Sequence, residues 1–201
     1  MIEWGEEIVM DPKEIFQHLT YIDIAIKEKG DLIRWQTGSE KTFPIDILSA
    51  RLNAKEEVYL HNEVQNRKIV FIQKGKFIFT LGANSNPQFQ LLEAIIEEVS
   101  QDFIEKFKII PEAMLSNITT KGFLDLIPDL ILKAQKERIK WVNTECKVCK
   151  KMILICVKKS IITNAKHFPT SLVFYHLGHG LLLYLDKDIA VRGAEIVDIS
   201  S

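Results

Sequence analysis

The chain has 201 residues, 47% of them hydrophobic, and a formal net charge of −1. Those values exclude a disordered tail and leave room for one cored domain, alone or with a small appendage. No apolar run reaches the roughly 20 residues that a membrane-spanning helix needs.

Met1-Ile2-Glu3-Trp4-Gly5-Glu6-Glu7 is acidic and lacks the basic region and apolar core of a signal peptide. Asp11-Pro12-Lys13-Glu14 then reads as a helix start, with Asp11 as cap and Ile15, Phe16 and Leu19 as the buried face. Tyr21 to Lys27 alternates as a strand with Ile22, Ile24 and Ile26 on one face. Lys29-Gly30 turns into a second strand, Asp31 to Thr37, and Gly38-Ser39-Glu40-Lys41 is a loop. Pro44 opens a second helix that carries Ile45, Leu48 and Leu52 and ends near Ala54. Glu57 to Gln65 is an incompletely alternating strand.

Ile69-Val70-Phe71-Ile72 and Phe77-Ile78-Phe79 bracket Lys74-Gly75, a hairpin signal. Asn84-Ser85-Asn86-Pro87 stops the second strand, and Asn86 is expected to cap a long helix that has Pro87 at its first position. That helix spans Gln88 to Lys108. Phe89, Leu92, Ile95, Ile96, Val99, Phe103 and Phe107 form its buried stripe, while Glu93, Glu97, Gln101, Glu105 and Lys108 are expected to point away. Pro111 follows it. Gly122 to Trp141 reads as a further helix, broken or kinked at Pro128, with Leu124, Ile127, Ile131 and Ile139 buried. From Cys146 the pattern becomes β-like: Met152–Val157, Ser171–Tyr175, Leu181–Leu185 and, after an Asp186-Lys187-Asp188 turn, Ile189–Ile199. The sequence thus predicts an α+β domain over residues 1–141 and a small β-rich module over 142–201.

Charge is distributed unevenly along the chain. Residues 1–132 carry 14 basic and 21 acidic side chains, a net of −7; residues 133–166 carry 10 and 2, a net of +8; residues 167–201 return to −2. The basic segment is either a solvated face or a contact for an acidic partner or an anionic membrane. Aromatic residues do not interleave with it, which disfavours nucleic acid.

Three cysteines form no disulfide framework, so a reducing cytoplasm is the expected compartment, with peripheral membrane contact as an addition. Cys146-Lys147-Val148-Cys149 is the sharpest local motif, because two thiolates at that spacing can clasp a metal ion from a tight turn. His176-Leu177-Gly178-His179 is the natural second pair, giving a structural zinc site of Cys146, Cys149, His176 and His179. The fit is imperfect, since histidine ligands are usually three to five residues apart; His167 or Cys156 could replace one member. The alternative leaves the cysteines as loop thiols and the histidines as hydrogen-bonding turn residues. A redox role is disfavoured because the pair follows a helix and precedes a strand. Cys156 reads as core. A catalytic cluster of His176, His179, Asp186 and Tyr184 lacks converging carboxylates. His18 and His61 show no chemical partners nearby, and the glycine spacing forms no phosphate loop.

The order strand-strand-helix-strand-strand-strand-helix-helix over residues 20–141 resembles the longin domain, and most closely at Lys68 to Phe107. The related roadblock domain shares most of this order and has a helix before its first strand, as Pro12–Leu19 would supply. The resemblance implies a five-stranded antiparallel sheet flanked by helices on both faces. It also implies a non-enzymatic adaptor or platform for a small GTPase or another longin or roadblock protein, in membrane trafficking or GTPase regulation and often in pairs, so a homodimer is among the expectations. It carries over no functional residue. The rival reading is a metal- or thiol-dependent enzyme centred on the cysteine and histidine pairs.

Overall fold

A computed structural model describes residues 9–27, 30–37, 55–64, 66–107, 120–176 and 179–197. The helix expected from Pro44, the Gly38–Lys41 loop and Pro111 lie outside the described residues. The fold separates into two compact units, one spanning Met10–Gln135 and one built from Lys136 onwards. Each is considered by itself.

The first unit opens with α1 (Pro12–His18), where the Asp11 carboxylate accepts the Lys13 N–H at 2.9 Å and Pro12 fills a first-turn position. The helix stops one residue short of expectation. Leu19 is already extended and starts β1 (Leu19–Ile26). β2 (Gly30–Gln36), β3 (Leu60–Val64), β4 (Arg67–Lys74) and β5 (Phe77–Asn84) follow. They form one antiparallel sheet in the order β2-β1-β5-β4-β3. The β4–β5 hairpin turns on Gly75-Lys76, where Gly75 takes φ +58°, a backbone angle that glycine adopts without penalty.

β1 is an interior strand, paired with β2 on one side and β5 on the other, and that position explains its apolar run: every residue from Tyr21 to Ile26 is buried. The long helix, α2 (Phe89–Phe107), begins later than the proline suggests. The Asn86 N–H bonds to the Asn84 side chain at 3.0 Å, and the Gln88 carbonyl accepts the first intrahelical bonds, from Leu91 and Leu92. Gln88 rather than Asn86 is therefore the cap residue. Leu92, Ile95, Ile96, Val99 and Phe103 are buried as expected. Each is worth about 1.5–3 kcal/mol of burial, so packing rather than propensity holds the helix. Phe103 meets Phe77, Phe79, Phe107 and Phe123 at centroid separations of 5.3, 5.7, 4.7 and 6.4 Å.

Two acids expected to be solvated are engaged instead. Glu93 pairs with His61 Nε2 at 2.7 Å, and Glu97 accepts the Tyr59 hydroxyl at 2.8 Å. His61 also stacks on Phe89, and His18 Nδ1 meets the Asn84 amide at 3.0 Å. Both histidines therefore have partners, brought to them from more than 20 residues away. Glu98, fully buried in α2, pairs with Lys133.

α3 (Thr120–Leu124) and α4 (Ile127–Arg138) replace the single helix read over Gly122–Trp141. The Leu126 carbonyl accepts the Leu130 N–H, so Pro128 lies in the first turn of α4, where no hydrogen-bond donor is missed. The break precedes the proline. The reciprocal bonds of Gln135 with the Met10 backbone, both 2.9 Å, tie the two ends of this unit together.

The helix also ends sooner than expected, and Ile139–Glu145 is β6. Ile139, Trp141, Val142 and Thr144 are β-branched or aromatic and suit a pleated surface once β7 (Met152–Lys158) pairs with them. After α5 (Lys159–Thr163), β8 (Thr170–His176), β9 (His179–Leu185) and β10 (Val191–Val197) form a three-stranded antiparallel sheet in the order β10-β9-β8. One apolar cluster joins the two-stranded and three-stranded sheets. It includes Val142, Cys146, Ile153, Ile155, Leu181 and Leu183, with Cys149 and Phe174 packed at its margin.

Candidate functional site

Cys146 and Cys149 occupy the turn of the β6–β7 hairpin. The Cys146 N–H donates to the Lys151 carbonyl at 2.9 Å and its carbonyl accepts the Lys150 N–H at 2.8 Å. Lys150 takes φ +59°, which brings the chain sharply back into β7. The turn is therefore closed by its own backbone. Its N–H groups also serve the sulfur: the backbone N–H of Cys149 holds the Cys146 thiol below its ordinary pKa. The Val148 N–H, the Cys149 side chain and the Lys150 charge add to that effect, against the opposing effect of burial. Cys146 is buried, Cys149 is half-buried and Cys156 is buried within β7, all three as free thiols.

His176 and His179 are the last residue of β8 and the first of β9, and they face one another as a paired position in the ladder. Cys156 and His167 are not drawn into this turn: Cys156 pairs with Trp141 in mid-strand, and His167 lies in the connection before β8.

Asp186 has a structural task. Its carboxylate accepts the Asp188 N–H at 2.9 Å and the Ala190 N–H at 2.8 Å, and it pairs with Arg192 at 2.6 Å. The Ala190 bond first, then Asp188 and Arg192, hold its pKa below the usual carboxylate range although burial opposes them. This is the β-turn expected of Asp186-Lys187-Asp188. The Tyr184 hydroxyl bonds to Glu195 at 3.1 Å. That bond leads the upward shift of its pKa, with burial and the Glu195 charge adding to it.

Part of the basic segment is also structural. Lys133 pairs with Glu98, Lys140 donates to the Asp188 carbonyl at 2.8 Å, and Lys159 donates to the Lys136 carbonyl at 2.5 Å. Lys147, Lys150 and Lys151 are exposed around the cysteine turn.

The first unit offers a different kind of site, at the β2 end of its sheet. Among the described strands β2 pairs with β1. Thr37 donates to the Thr20 carbonyl at 3.0 Å, so the antiparallel alternation directs the backbone groups of Gln36 and Arg34 away from β1. Beside this edge Asp23 is fully buried in β1 and meets Arg34 Nε at 3.4 Å, while Arg34 also pairs with Asp31. Sequence alone does not bring this trio together. Its signal was the acid in Ile22-Asp23-Ile24, at a position where a central strand has no solvent to offer.

No known protein-family profile matches the sequence, and no curated protein matches it. Among solved structures, a chain of "The Structure of the Mammalian SRP Receptor" is similar over 59% of this chain and 96% of its own. Its sequence identity is 15% and its TM-score 0.36. No helix among the described residues is long and apolar enough to cross a membrane. The α+β assignment accordingly rests on the chain's own strand order, a five-stranded antiparallel sheet with helices and a separate β-rich part.

Proposed function

We propose that this chain is a longin-like interaction module without chemistry of its own, docking a protein partner through its five-stranded sheet unit. The partner is a small GTPase or a second longin or roadblock domain, and the setting is membrane trafficking or GTPase regulation. The observation that supports this reading is the antiparallel β2-β1-β5-β4-β3 sheet with its long helix. Among the described residues its outermost strands are β2 and β3, and edge strands are where a partner strand can add main-chain bonds.

Titration calorimetry tests the reading. The purified chain is titrated with a panel of small GTPases, each loaded with GDP or a non-hydrolysable GTP analogue, and with longin and roadblock domains. Saturable binding to a GTPase of the panel that depends on the bound nucleotide, or to a longin or roadblock domain, supports the reading. No binding to any member of the panel overturns it.

A further inference from the structure

We propose that the β6–β7 turn marks a contact surface for an anionic lipid bilayer, its lysines meeting the headgroups and its apolar side chains entering the interface. The inference rests on the C-terminal unit alone and is independent of the partner proposed above. It begins from a turn that hides almost nothing. From Lys147 to Met152 every residue except the half-buried Cys149 is exposed, and three of them are lysines, Lys147, Lys150 and Lys151. Two more are apolar. Val148 is 44% exposed, and Met152, at 67%, is the most exposed large hydrophobic side chain among the described residues. Cys146 and Ile153, which flank the turn, face the core instead. A single exposed apolar residue calls for no explanation, but apolar and cationic side chains gathered in one tight turn do.

The strand register adds two residues to the same end of the unit. Lys140, near the start of β6, donates to the Asp188 carbonyl in the β9–β10 turn. β6 runs from that contact to the cysteine turn. β8 and β10 run the same way: Thr170 and Val191 both pair with Leu185, whereas Tyr175 pairs with Gly180 and Ile196 with Leu181. Tyr175 and Ile196 therefore lie at the strand ends remote from Asp188, and they are 59% and 51% exposed. Alternation accounts for Tyr175, since Leu172 and Phe174 face the shared core and Tyr175 faces out. Two acids lie near this end. Glu145 is opposite Met152 in the ladder, and Glu195 is engaged by the Tyr184 hydroxyl. The opposite end carries Asp186 and Asp188 in its turn, which an anionic surface repels.

A bilayer suits this combination because it needs no shaped pocket. Small apolar side chains enter the boundary between headgroups and acyl chains, while lysines on long stems keep their ammonium groups among the phosphates. Tyrosine is favoured at the same depth. Single-stranded nucleic acid would reward a row of aromatic platforms, and Tyr175 is alone in that role among the residues described at this end. Each lysine near an anionic surface raises the partition constant about fivefold, so three together give about a hundredfold, reduced by what Glu145 repels.

The test floats the full chain with vesicles of phosphatidylcholine, alone or with about 30% phosphatidylserine, at about 0.1 M salt. Binding to the phosphatidylserine vesicles is expected to be tighter by about tenfold or more, and to weaken as salt rises. Lys147→Gln/Lys150→Gln/Lys151→Gln should lower the partition constant by about a hundredfold, and Val148→Ser/Met152→Ser by about tenfold. The wild-type chain supplies a readout that needs no variant. Dilute hydrogen peroxide converts an exposed methionine to its sulfoxide, and phosphatidylserine vesicles should slow that reaction at Met152 by about fivefold, read by mass spectrometry of the tryptic peptide Met152–Lys158. No preference for phosphatidylserine, Met152 oxidised equally fast with and without vesicles, or binding indifferent to either variant overturns the proposal. So does saturable capture by polyglutamate or by an RNA homopolymer without vesicle binding, which would assign the turn to an acidic protein or to nucleic acid.

Discussion

Replacing Phe103 with alanine removes the centre of the aromatic cluster in the first unit. The ring is fully buried and meets four others, three of them edge-on or nearly so: Phe77 at 79°, Phe79 at 76° and Phe123 at 82°. A buried phenylalanine truncated to alanine costs about 3–5 kcal/mol through lost transfer energy and the cavity left behind. Aromatic pairs add about 0.5–1.5 kcal/mol each beyond area, so the cost belongs at the upper end, near 5 kcal/mol. Since about 1.4 kcal/mol is tenfold, the unfolding equilibrium should shift by a factor of more than a thousand. Phe107 provides the control: it is only half-buried, its ring meets Phe103, and alanine there should cost about a third as much. Urea unfolding can be followed through Trp35, which stacks on Phe16 within the same unit, in a Trp4→Phe, Trp141→Phe background. A Phe103→Ala loss below about 1.5 kcal/mol, or one no larger than that of Phe107→Ala, would refute the packing argument.

Two further outcomes follow from single contacts. A methyl group at Gly82 would come within 2.9 Å of the Tyr21 Cβ in the neighbouring strand, and neither atom can rotate away. Gly82→Ala should therefore cost about 1–3 kcal/mol in the same urea assay, and an unchanged midpoint would show that the sheet opens there at no cost. The Asp186 carboxylate has its folded pKa depressed below the unfolded value. Its contribution is therefore present above the ordinary aspartate pKa and is lost as pH falls through the lower, folded one. Asp186→Asn should lower the melting temperature at neutral pH and flatten its acid dependence below about pH 4, whereas an unchanged acid limb would contradict the turn's hydrogen bonding.

Local chemistry carried much of the fold into view. Asp11-Pro12 announced α1, and Gly75 announced the β4–β5 turn. The Phe89–Phe107 periodicity marked the long helix to within a residue or so, because caps, turns and amphipathic stripes are decided by neighbours in the chain. Boundaries set by distant partners were harder to read. Ile139-Lys140-Trp141 continues a helical pattern as readily as it starts a strand, and only pairing with Cys156–Lys158 decides between them. The Glu93–His61 and Glu97–Tyr59 contacts are equally invisible in sequence, since each partner lies on another element.

The candidate site divides in the same way. The sequence by itself determined that Cys146 and Cys149 lie within one turn of chain, at a spacing that suits chelation. It could not determine how the histidines are placed. Two intervening residues are too few for one helix face, but they are the right number for a hairpin that sets His176 opposite His179. Only the pairing of β8 with β9, and the core that both hairpins share, made that distinction, since a ladder brings residues together by register and not by helical pitch.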